Sequence, residues 1–269
     1  MNALPLSLAD RTVFVAGGGS AGPGWSIGRA ASVTYARLGA RVCVVDRDAA
    51  SAAETTALIR AEGGAAETFV GDVAEEAEIA RLFAEAREHF GPVDVLHHNV
   101  GIGKTGGLLD TDVRDFDAAH NVNVRSLLLA SQQVLPSMVE RGRGAIVTVS
   151  SVAGLRYIGY PHLSYSVSKA ALIQFTRMIA QQYAGSGIRA NCVVPGLIDT
   201  PRIAHTVAKQ FSADSLDDAR AARARQVPMQ RMGTAWDVAH ACAFLASDAA
   251  AYITGTELVV DGGITGKYA

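Results

Sequence analysis

The sequence lacks the features that would place a protein in a membrane or outside the cell. It has no uninterrupted apolar run near the roughly 20 residues that a membrane-spanning helix needs. Its first residues, MNALPLSLAD, have neither the basic start nor the long apolar core of a signal peptide. Cysteine is scarce, and Cys43, Cys192 and Cys242 are an odd, scattered set that predicts no disulfide framework and no metal site. We therefore expect a cytoplasmic protein without a membrane partner.

A large excess of charge of one sign is also missing. The formal net charge is −2, which gives no support for binding to nucleic acid or to an acidic membrane surface. Apolar residues make up 49% of the chain and charged residues 19%, as in a folded domain rather than a disordered one. The 269 residues suit one large domain or two small ones. Because the chain contains no repeat, linker or low-complexity stretch, we expect a single domain over residues 1–269.

What the sequence does have is a regular alternation of short β-branched runs and longer helical patterns. The predicted strands cover residues 12–16, 41–46, 67–70, 93–97, 145–149, 189–193 and 257–260, and the predicted helices cover 26–38, 49–62, 75–90, about 113–141 and 165–183. Strands that are apolar throughout indicate a parallel sheet covered on both faces. The pattern predicts an α/β fold of the Rossmann type, with a doubly wound, seven-stranded parallel sheet. The stretch from about 197 to 228 breaks the rhythm and is predicted to be a substrate lid.

A glycine-rich segment, residues 17–28 (GGGSAGPGWSIG), separates the first strand from the first helix. Glycines let the backbone approach a pyrophosphate, and the helix N-terminus adds N–H donors and a favourable dipole. Asp46 ends the second strand, where an acid accepts hydrogen bonds from ribose hydroxyls and repels a 2′-phosphate. This predicts NAD rather than NADP, although the adjacent Arg47 could soften the preference. Asp72 and Val73 follow the third strand and are predicted to touch the adenine.

A tyrosine and a lysine form a candidate acid–base pair. Lys169 follows Tyr165 by four positions, so on a helix the two side chains share one face. A free phenol has a pKa of about 10, too high for proton transfer at neutral pH. A nearby ammonium favours the phenolate and lowers that pKa toward the working range.

With this pair added to the glycine loop, the chain resembles the short-chain dehydrogenase/reductase family in its standard-length form, over residues 8–263. The other matching motifs come in the family's order. They are Asn99-Val100-Gly101 after the fourth strand, with His98 in place of the family's first asparagine, Val122-Asn123, Ser150-Ser151 with Gly154, Asn191 with Pro195-Gly196 and Thr200, residues 228–233, and Tyr252 to Gly255 with Asp261 to Gly263.

The resemblance implies an oxidoreductase that acts on secondary alcohols or ketones. It implies that Tyr165 transfers the proton, that Lys169 lowers the phenol pKa and holds the nicotinamide ribose, and that Ser151 positions the reacting oxygen. Asn123 is expected to bind a water that relays protons from Lys169. The cofactor-binding residues that it implies are Gly17, Gly19, Ser20, Ser26, Ile27, Gly28, Asp46, Asp72, Val73, Asn99, Gly101, Tyr165, Lys169, Pro195, Gly196, Ile198 and Thr200. Members of the family are commonly tetramers or dimers, so a homo-oligomer is expected.

The chain departs from the family pattern at two places. Gly17 and Gly28 are eleven positions apart, an insertion of about five residues that carries residues 22–25 and puts Ser26 in the place of the middle glycine. Related enoyl reductases also have a longer loop, but their tyrosine and lysine are spaced more widely, so enoyl reduction is not expected. One extra residue also lies between Ser151 and Tyr165, which leaves Ser150 as an alternative catalytic serine.

By the family's geometry, the substrate pocket is lined by residues 101–108, 154–164 and 197 to about 211. Aromatic and apolar residues there suit a hydrophobic or cyclic alcohol or ketone. Arg156 is either a partner for an acidic substrate or, as we expect, a surface residue, and His162 is open to a substrate contact or to a packing role. His97 and His98 are adjacent on a strand and point to opposite faces, so no metal is expected. The alternatives are an NADPH-linked 3-ketoacyl reductase and a catalytically silent dinucleotide-binding regulator.

Overall fold

The computed structural model describes residues 6–203 and 216–267, and its centre is one seven-stranded parallel sheet. The strand order is β3-β2-β1-β4-β5-β6-β9, and β7 and β8 form a separate two-stranded sheet. The strands are β1 (Thr12–Ala16), β2 (Arg41–Asp46), β3 (Ala65–Val70), β4 (Val95–His98), β5 (Gly144–Val149), β6 (Ile188–Pro195), β7 (Ile198–Asp199), β8 (Gly233–Thr234) and β9 (Glu257–Val260). The predicted fold class is confirmed: a Rossmann-like sheet flanked by helices in a single domain.

Eight α-helices lie in the described part of the chain. They are α1 (Ile27–Arg37), α2 (Ala49–Ala61), α3 (Glu76–Phe90), α4 (Val113–His120), α5 (Ser126–Arg141), α6 (Leu163–Tyr183), α7 (Leu216–Ala224) and α8 (Ala235–Ala246). Local signals set several of their ends. The Ser26 side chain caps α1 by accepting a hydrogen bond from the Arg29 amide at 3.1 Å. Thr234 and Asp237 form a reciprocal capping box at the start of α8.

The central strands send alternate side chains to two separate cores. Val13 and Val15 of β1 pack with α1, α2 and α8 on one face of the sheet, whereas Phe14 and Ala16 pack with α3, α5 and α6 on the other. This is the two-residue period of a strand buried on both faces. The Phe14 ring stacks on Phe83 of α3 with centroids 3.9 Å apart. Because the helices that connect the strands cover both faces of the sheet, the carboxyl ends of the strands form its open edge.

The long helix predicted over about 113–141 is interrupted by a π-helical turn, Asn121–Arg125, between α4 and α5. A π-turn inserts an extra residue into a helix and is frequent at functional sites. Here it carries Asn123, whose side chain is completely buried. Side-chain periodicity over a long window does not reveal one extra residue, and the sequence therefore predicts an unbroken helix.

His97 and His98 point to opposite faces of the sheet. Nδ1 of His97 lies 2.9 Å from the hydroxyl of Tyr35, and Nε2 of His98 lies 2.7 Å from the hydroxyl of Ser126. Burial lowers the pKa of both residues to about 3, and the charge of Lys169 adds to the shift at His98. Both imidazoles are therefore neutral. Within residues 6–203 and 216–267, no three metal-ligating side chains come together.

None of the described helices is both long enough and apolar enough to span a membrane.

One buried carboxylate ties together the ends of the sheet opposite the open edge. Asp94 is 5% exposed, accepts a hydrogen bond from the Thr12 amide at 3.0 Å, and pairs with the guanidinium of Arg141 at the end of α5. Arg141 also donates to the Val93 carbonyl at 2.7 Å. We expect Asp94→Ala to lower the free energy of unfolding by about 3 kcal/mol, because it leaves a partly buried cation and a buried amide without their partner.

Urea denaturation monitored by circular dichroism measures this loss. Glu85→Ala is the matched control, since Glu85 forms an exposed helical pair with Arg81 at 2.9 Å and such pairs contribute little. An Asp94→Ala midpoint equal to that of the control would show that the buried pair does not hold the sheet ends together.

Candidate functional site

A cavity of about 630 Å³ opens at the carboxyl ends of the strands and runs from the glycine loop to Tyr165. This is the edge at which open α/β sheets bind their ligands. Of the residues predicted for the site, only Gly28 and Asn123 do not line it. The predicted residues that line it are Gly17, Gly19, Ser20, Ser26, Ile27, Asp46, Asp72, Val73, Asn99, Gly101, Ser151, Tyr165, Lys169, Pro195, Gly196, Ile198 and Thr200.

Gly28 shapes the loop from beneath the cavity. A Cβ at this position would lie 1.8 Å from the Gly17 carbonyl oxygen, so no other residue fits where the loop closes on the start of α1. Asn99 fixes the same point by donating a hydrogen bond to the Gly17 carbonyl at 3.1 Å. The loop backbone therefore leaves space in the cavity, and the amide groups at the N-terminus of α1 make this space suited to an anion.

The insertion at residues 22–25 does not line the cavity and packs on α8. The Trp25 ring packs on Trp236 with centroids 4.6 Å apart. Arg29 donates a hydrogen bond to the Gly24 carbonyl at 3.0 Å and forms a salt bridge with Glu54 of α2. The inserted residues are therefore clamped to both α8 and α2. Position Gly24 requires glycine because its φ is +109°.

Asp46 lies at the mouth of the glycine loop. One carboxylate oxygen accepts a hydrogen bond from the Gly19 amide at 3.0 Å, and the other accepts one from the Asp48 amide at 3.1 Å. The carboxylate is thus held in place at the wall of the cavity. Arg47 also lines the cavity beside it, with its side chain exposed.

Lys169 is a buried cation that holds two strand ends. Its ammonium donates hydrogen bonds to the carbonyls of Val149 at 2.9 Å and Val100 at 3.3 Å, and the residue is 2% exposed. Burial lowers the pKa of Lys169, and the neighbouring Tyr165 opposes that shift. The nitrogen lies 5.7 Å from the centre of the Tyr165 ring.

The Tyr165 phenol is poised for proton transfer. Burial alone would raise its pKa, but the charges of Lys169 and Arg202 and the hydroxyl of Ser151 together bring the pKa below its ordinary value. The two positive charges favour the phenolate, so the group titrates nearer to neutral pH than a free tyrosine does.

The two adjacent serines have different surroundings. Ser150 is 3% exposed and donates its hydroxyl hydrogen bond to the Lys169 carbonyl at 2.6 Å, so it anchors α6. Ser151 is half-buried, faces the cavity and interacts with the Tyr165 phenol, while its oxygen accepts a hydrogen bond from the Ala153 amide at 3.2 Å. This arrangement favours Ser151 as the serine that meets a substrate.

Asn123 supports the site from behind. Its side-chain oxygen accepts from the Ile102 amide, and its side-chain nitrogen donates to the Ile102 carbonyl and to the Ser168 hydroxyl, each at 2.8 Å. The residue thereby joins the π-turn to the loop after β4 and to α6, next to Lys169. Its role in a proton relay stays a prediction.

Two arginines that line the cavity were not singled out by the sequence. The Arg202 guanidinium lies 5.1 Å from the centre of the Tyr165 ring and donates to the Gly101 carbonyl at 3.2 Å. Arg223 of α7 also lines the cavity and interacts with Tyr160. Arg202 falls within the predicted pocket segment 197–211, and its place directly after Thr200-Pro201 was the available signal. Arg156, the arginine that the sequence analysis weighed, is exposed and does not line the cavity.

The predicted lid at about 197–228 is described only in part. β7, residues 200–203 and α7 border the cavity, and residues 204–215 lie outside the described part of the chain. Residues of the other two predicted pocket segments also line the cavity. They are Gly101, Ile102, Gly103 and Thr105 from the first segment and Ile158, Tyr160 and His162 from the second.

Comparisons with known proteins agree with this geometry. A family model described as Enoyl-(Acyl carrier protein) reductase matches residues 22–265. The chain is 36% identical to 2-(S)-hydroxypropyl-CoM dehydrogenase 3 of Xanthobacter autotrophicus over 96% of this chain and 98% of that protein. A Burkholderia xenovorans structure described as a short-chain dehydrogenase/reductase matches with a TM-score of 0.90 and 39% identity, covering 97% of this chain and 99% of that one.

A gluconate 5-dehydrogenase of Burkholderia cenocepacia, solved in complex with NADP and tartrate, matches with a TM-score of 0.86 and 28% identity over 98% of both chains. The fold, the order of the motifs and these matches lead to one conclusion. The chain belongs to the short-chain dehydrogenase/reductase family and is an oxidoreductase that acts on CH–OH groups.

Proposed function

We propose that the protein is an NAD-dependent dehydrogenase that interconverts a secondary alcohol and its ketone. The observation that carries this proposal is the position of the Tyr165 phenol, beside Lys169 and Ser151, in the same cavity as the glycine loop. An acid–base group and a dinucleotide cradle that share one cavity are what hydride transfer at a carbinol carbon requires.

The residues present fit a nicotinamide dinucleotide. The close approach of Gly28 to the Gly17 carbonyl leaves the backbone open to a pyrophosphate above the N-terminus of α1. Asp46 is suited to the adenosine ribose, and Pro195, Gly196, Ile198 and Thr200 to the nicotinamide amide. When bound, the nicotinamide supplies the hydride acceptor or donor.

The chain's own groups handle the proton and the substrate oxygen. In the oxidation direction, the Tyr165 phenolate removes the hydroxyl proton of the alcohol, and Ser151 donates a hydrogen bond that holds the substrate oxygen in place. In reduction, the same phenol returns the proton. Lys169 keeps the phenolate accessible near neutral pH because its charge offsets the effect of burial.

NAD is the proposed cofactor because Asp46 would repel a 2′-phosphate. The glycine loop from 17 to 26 carries no basic residue to attract one. Arg47 is the feature that favours NADP, and the Burkholderia cenocepacia relative is a complex with NADP. The carboxylate of Asp46, held by two backbone amides, is the observation that supports NAD.

The carbon skeleton of the substrate is proposed to be apolar. Ile158, Leu197 and Ile203 line the cavity, which agrees with the hydrophobic or cyclic alcohol that the sequence suggested. The alternatives are less well supported. Asp46 is evidence against an NADPH-linked 3-ketoacyl reductase. The presence of Ser151, Tyr165 and Lys169 in one cavity is evidence against a silent regulator. The four-residue spacing of Tyr165 and Lys169 is evidence against an enoyl reductase.

The protein is also proposed to act in the cytoplasm as a homo-oligomer, either a tetramer or a dimer. Exposed apolar side chains on α4 and α5 support the proposal that these helices pack against another subunit. Val113 is 72% exposed and Leu128 is 43% exposed.

Replacing the acid–base group tests the mechanism. We expect Tyr165→Phe to lower kcat by about 10²- to 10⁴-fold, because that is the range of general acid–base catalysis. Tyr252→Phe, at a fully exposed tyrosine that does not line the cavity, serves as the control and keeps wild-type activity. NAD-dependent absorbance measures turnover, and circular dichroism verifies folding. Near-normal turnover by Tyr165→Phe would refute the mechanism.

Removing the ammonium changes the pH dependence. The charge of Lys169 lowers the pKa of Tyr165, so Lys169→Met raises that pKa. Because oxidation requires the phenolate, activity that increases with pH in the wild type will increase only at more alkaline pH in the variant. Profiles of kcat/KM from pH 6 to about 11, which span the free phenol pKa, measure the shift. An unchanged midpoint would mean that another group titrates.

Cofactor choice depends on one carboxylate. In the wild type we expect a higher kcat/KM with NAD than with NADP. Asp46→Asn should lower the NAD-to-NADP ratio of kcat/KM by at least about 10-fold, since it removes a like-charge repulsion from the 2′-phosphate. Initial rates with both nucleotides provide the ratio. A wild-type preference for NADP would overturn the assignment.

A further inference from the structure

The mechanism above leaves a group of nitrogen-bearing side chains beside Tyr165 without a role. Arg202 and His162 line the cavity against the Tyr165 ring, and Arg223 also lines it and interacts with Tyr160, whose ring lies 5.8 Å from that of His162. Three acids line the opposite end, beside the glycine loop: Asp46 ends β2, Asp48 follows β2 and Asp72 follows β3. Among the described lining residues, the acids are therefore confined to the glycine-loop end, where Arg47 accompanies them, and none lies at the Tyr165 end.

Arg202 is fixed close to the reacting group. Its guanidinium carbon lies 5.1 Å from the centre of the Tyr165 ring, and a bond to the Gly101 carbonyl at 3.2 Å holds it there. A guanidinium presents five N–H donors in a planar fork that matches a carboxylate. An anion paired with this group would lie only a few bonds from a carbon held at Tyr165 and Ser151.

Arg223 adds a second positive charge from α7. It is 8% exposed, it interacts with Tyr160, and its Nε has no hydrogen-bond partner among the described residues. A buried donor without a partner is unfavourable, and a ligand oxygen that entered this end of the cavity would relieve that penalty.

His162 adds a neutral donor. It is 7% exposed and stacks on Tyr165 with ring centroids 4.7 Å apart and planes 16° apart. Burial lowers the pKa of His162, and the charge of Arg202 lowers it further. The Gly103 backbone has the opposite effect on this pKa. Neither ring nitrogen makes a hydrogen bond of normal geometry within the described residues. Three nitrogen-bearing side chains thus surround the place where the substrate must sit.

We infer that the substrate is a short hydroxy acid whose carboxylate binds to Arg202, with Arg223 and His162 as supporting donors, while its carbinol group faces Tyr165 and Ser151. This inference rests on the proposed alcohol oxidation and names its substrate class. The carbinol C–H and O–H bonds break as the C=O double bond forms. The hydride goes to the oxidised nicotinamide and the proton to Tyr165, and the carboxylate is unchanged. Arg202 is thus a specificity-determining residue.

A pair of substrates with the same carbon chain tests this role. We expect wild-type kcat/KM for 3-hydroxybutanoate to exceed that for butan-2-ol by at least about 10-fold, because a charged hydrogen bond distinguishes the two. R202L should lower kcat/KM for 3-hydroxybutanoate by about 10- to 100-fold, mainly through a higher KM. Butan-2-ol has no carboxylate, so its loss in R202L comes only from the change at Tyr165 and should be smaller than the loss for 3-hydroxybutanoate.

Three features of the design separate binding from effects on Tyr165. Because Arg202 also lowers the pKa of Tyr165, rates are compared on the pH-independent plateau of each variant. R156L is the matched control, since Arg156 is exposed and outside the cavity, and it should behave as the wild type. R202K keeps the charge without the planar fork and should restore part of the lost affinity. Equal losses on both substrates, or a wild-type preference for butan-2-ol, would overturn the inference.

A binding measurement separates this inference from the proposed function. If neither substrate is turned over with NAD or NADP, titration calorimetry with malonate in the presence of NAD tests whether the carboxylate site exists. Binding to wild type and R156L that is lost in R202L would support the carboxylate site while the proposed oxidation fails. Absence of malonate binding to the wild type would then overturn the carboxylate site as well.

Discussion

The burial of one ammonium group is the constraint on which the rest of the site depends. An unpaired charge within a protein is strongly unfavourable, so Lys169 is acceptable at 2% exposure only because main-chain carbonyls receive its hydrogen bonds. Those carbonyls belong to Val149 at the end of β5 and to Val100 just after β4. The same charge that joins these two strand ends to α6 also lowers the pKa of Tyr165. Structural and chemical roles are therefore inseparable at this residue.

A chain of positioning contacts extends outward from that ammonium. The π-turn directs Asn123 onto Ile102 and Ser168, which fixes the loop that carries Val100 and Gly101. The Gly101 carbonyl in turn receives the hydrogen bond of Arg202. The loop after β4 thus supports both the cation behind the phenol and the cation beside it, and small shifts in that loop would affect both.

The sheet could be predicted from the sequence because every central strand is buried on both faces and reads as an apolar run. α8 was missed because AWDVAHACAFLA is so largely apolar that it lacks a clear polar face, and its register becomes visible only against α1. The motifs identified Tyr165, Lys169 and Asp46, whose roles follow from position along the chain. Ser150 and Ser151 could not be separated, since adjacent residues differ only in the direction of their side chains. Arg223 could not be foreseen either, because it reaches the cavity through the packing of α7.

The inserted loop links the two ends of the cavity. Trp25 and Trp236 hold the insertion against α8, and a Cβ added at Gly22 or Gly24 would meet the Pro201 ring at the ordinary contact distances of 3.4 and 3.6 Å. Pro201 directly precedes Arg202. The inserted part of the glycine loop therefore lies next to the segment that carries the arginine beside Tyr165. Because packed interfaces resist continuous deformation, the glycine loop and Arg202 constrain each other's positions. The insertion that departs from the family's glycine-loop pattern is in this way a neighbour of the cavity segment that carries Arg202.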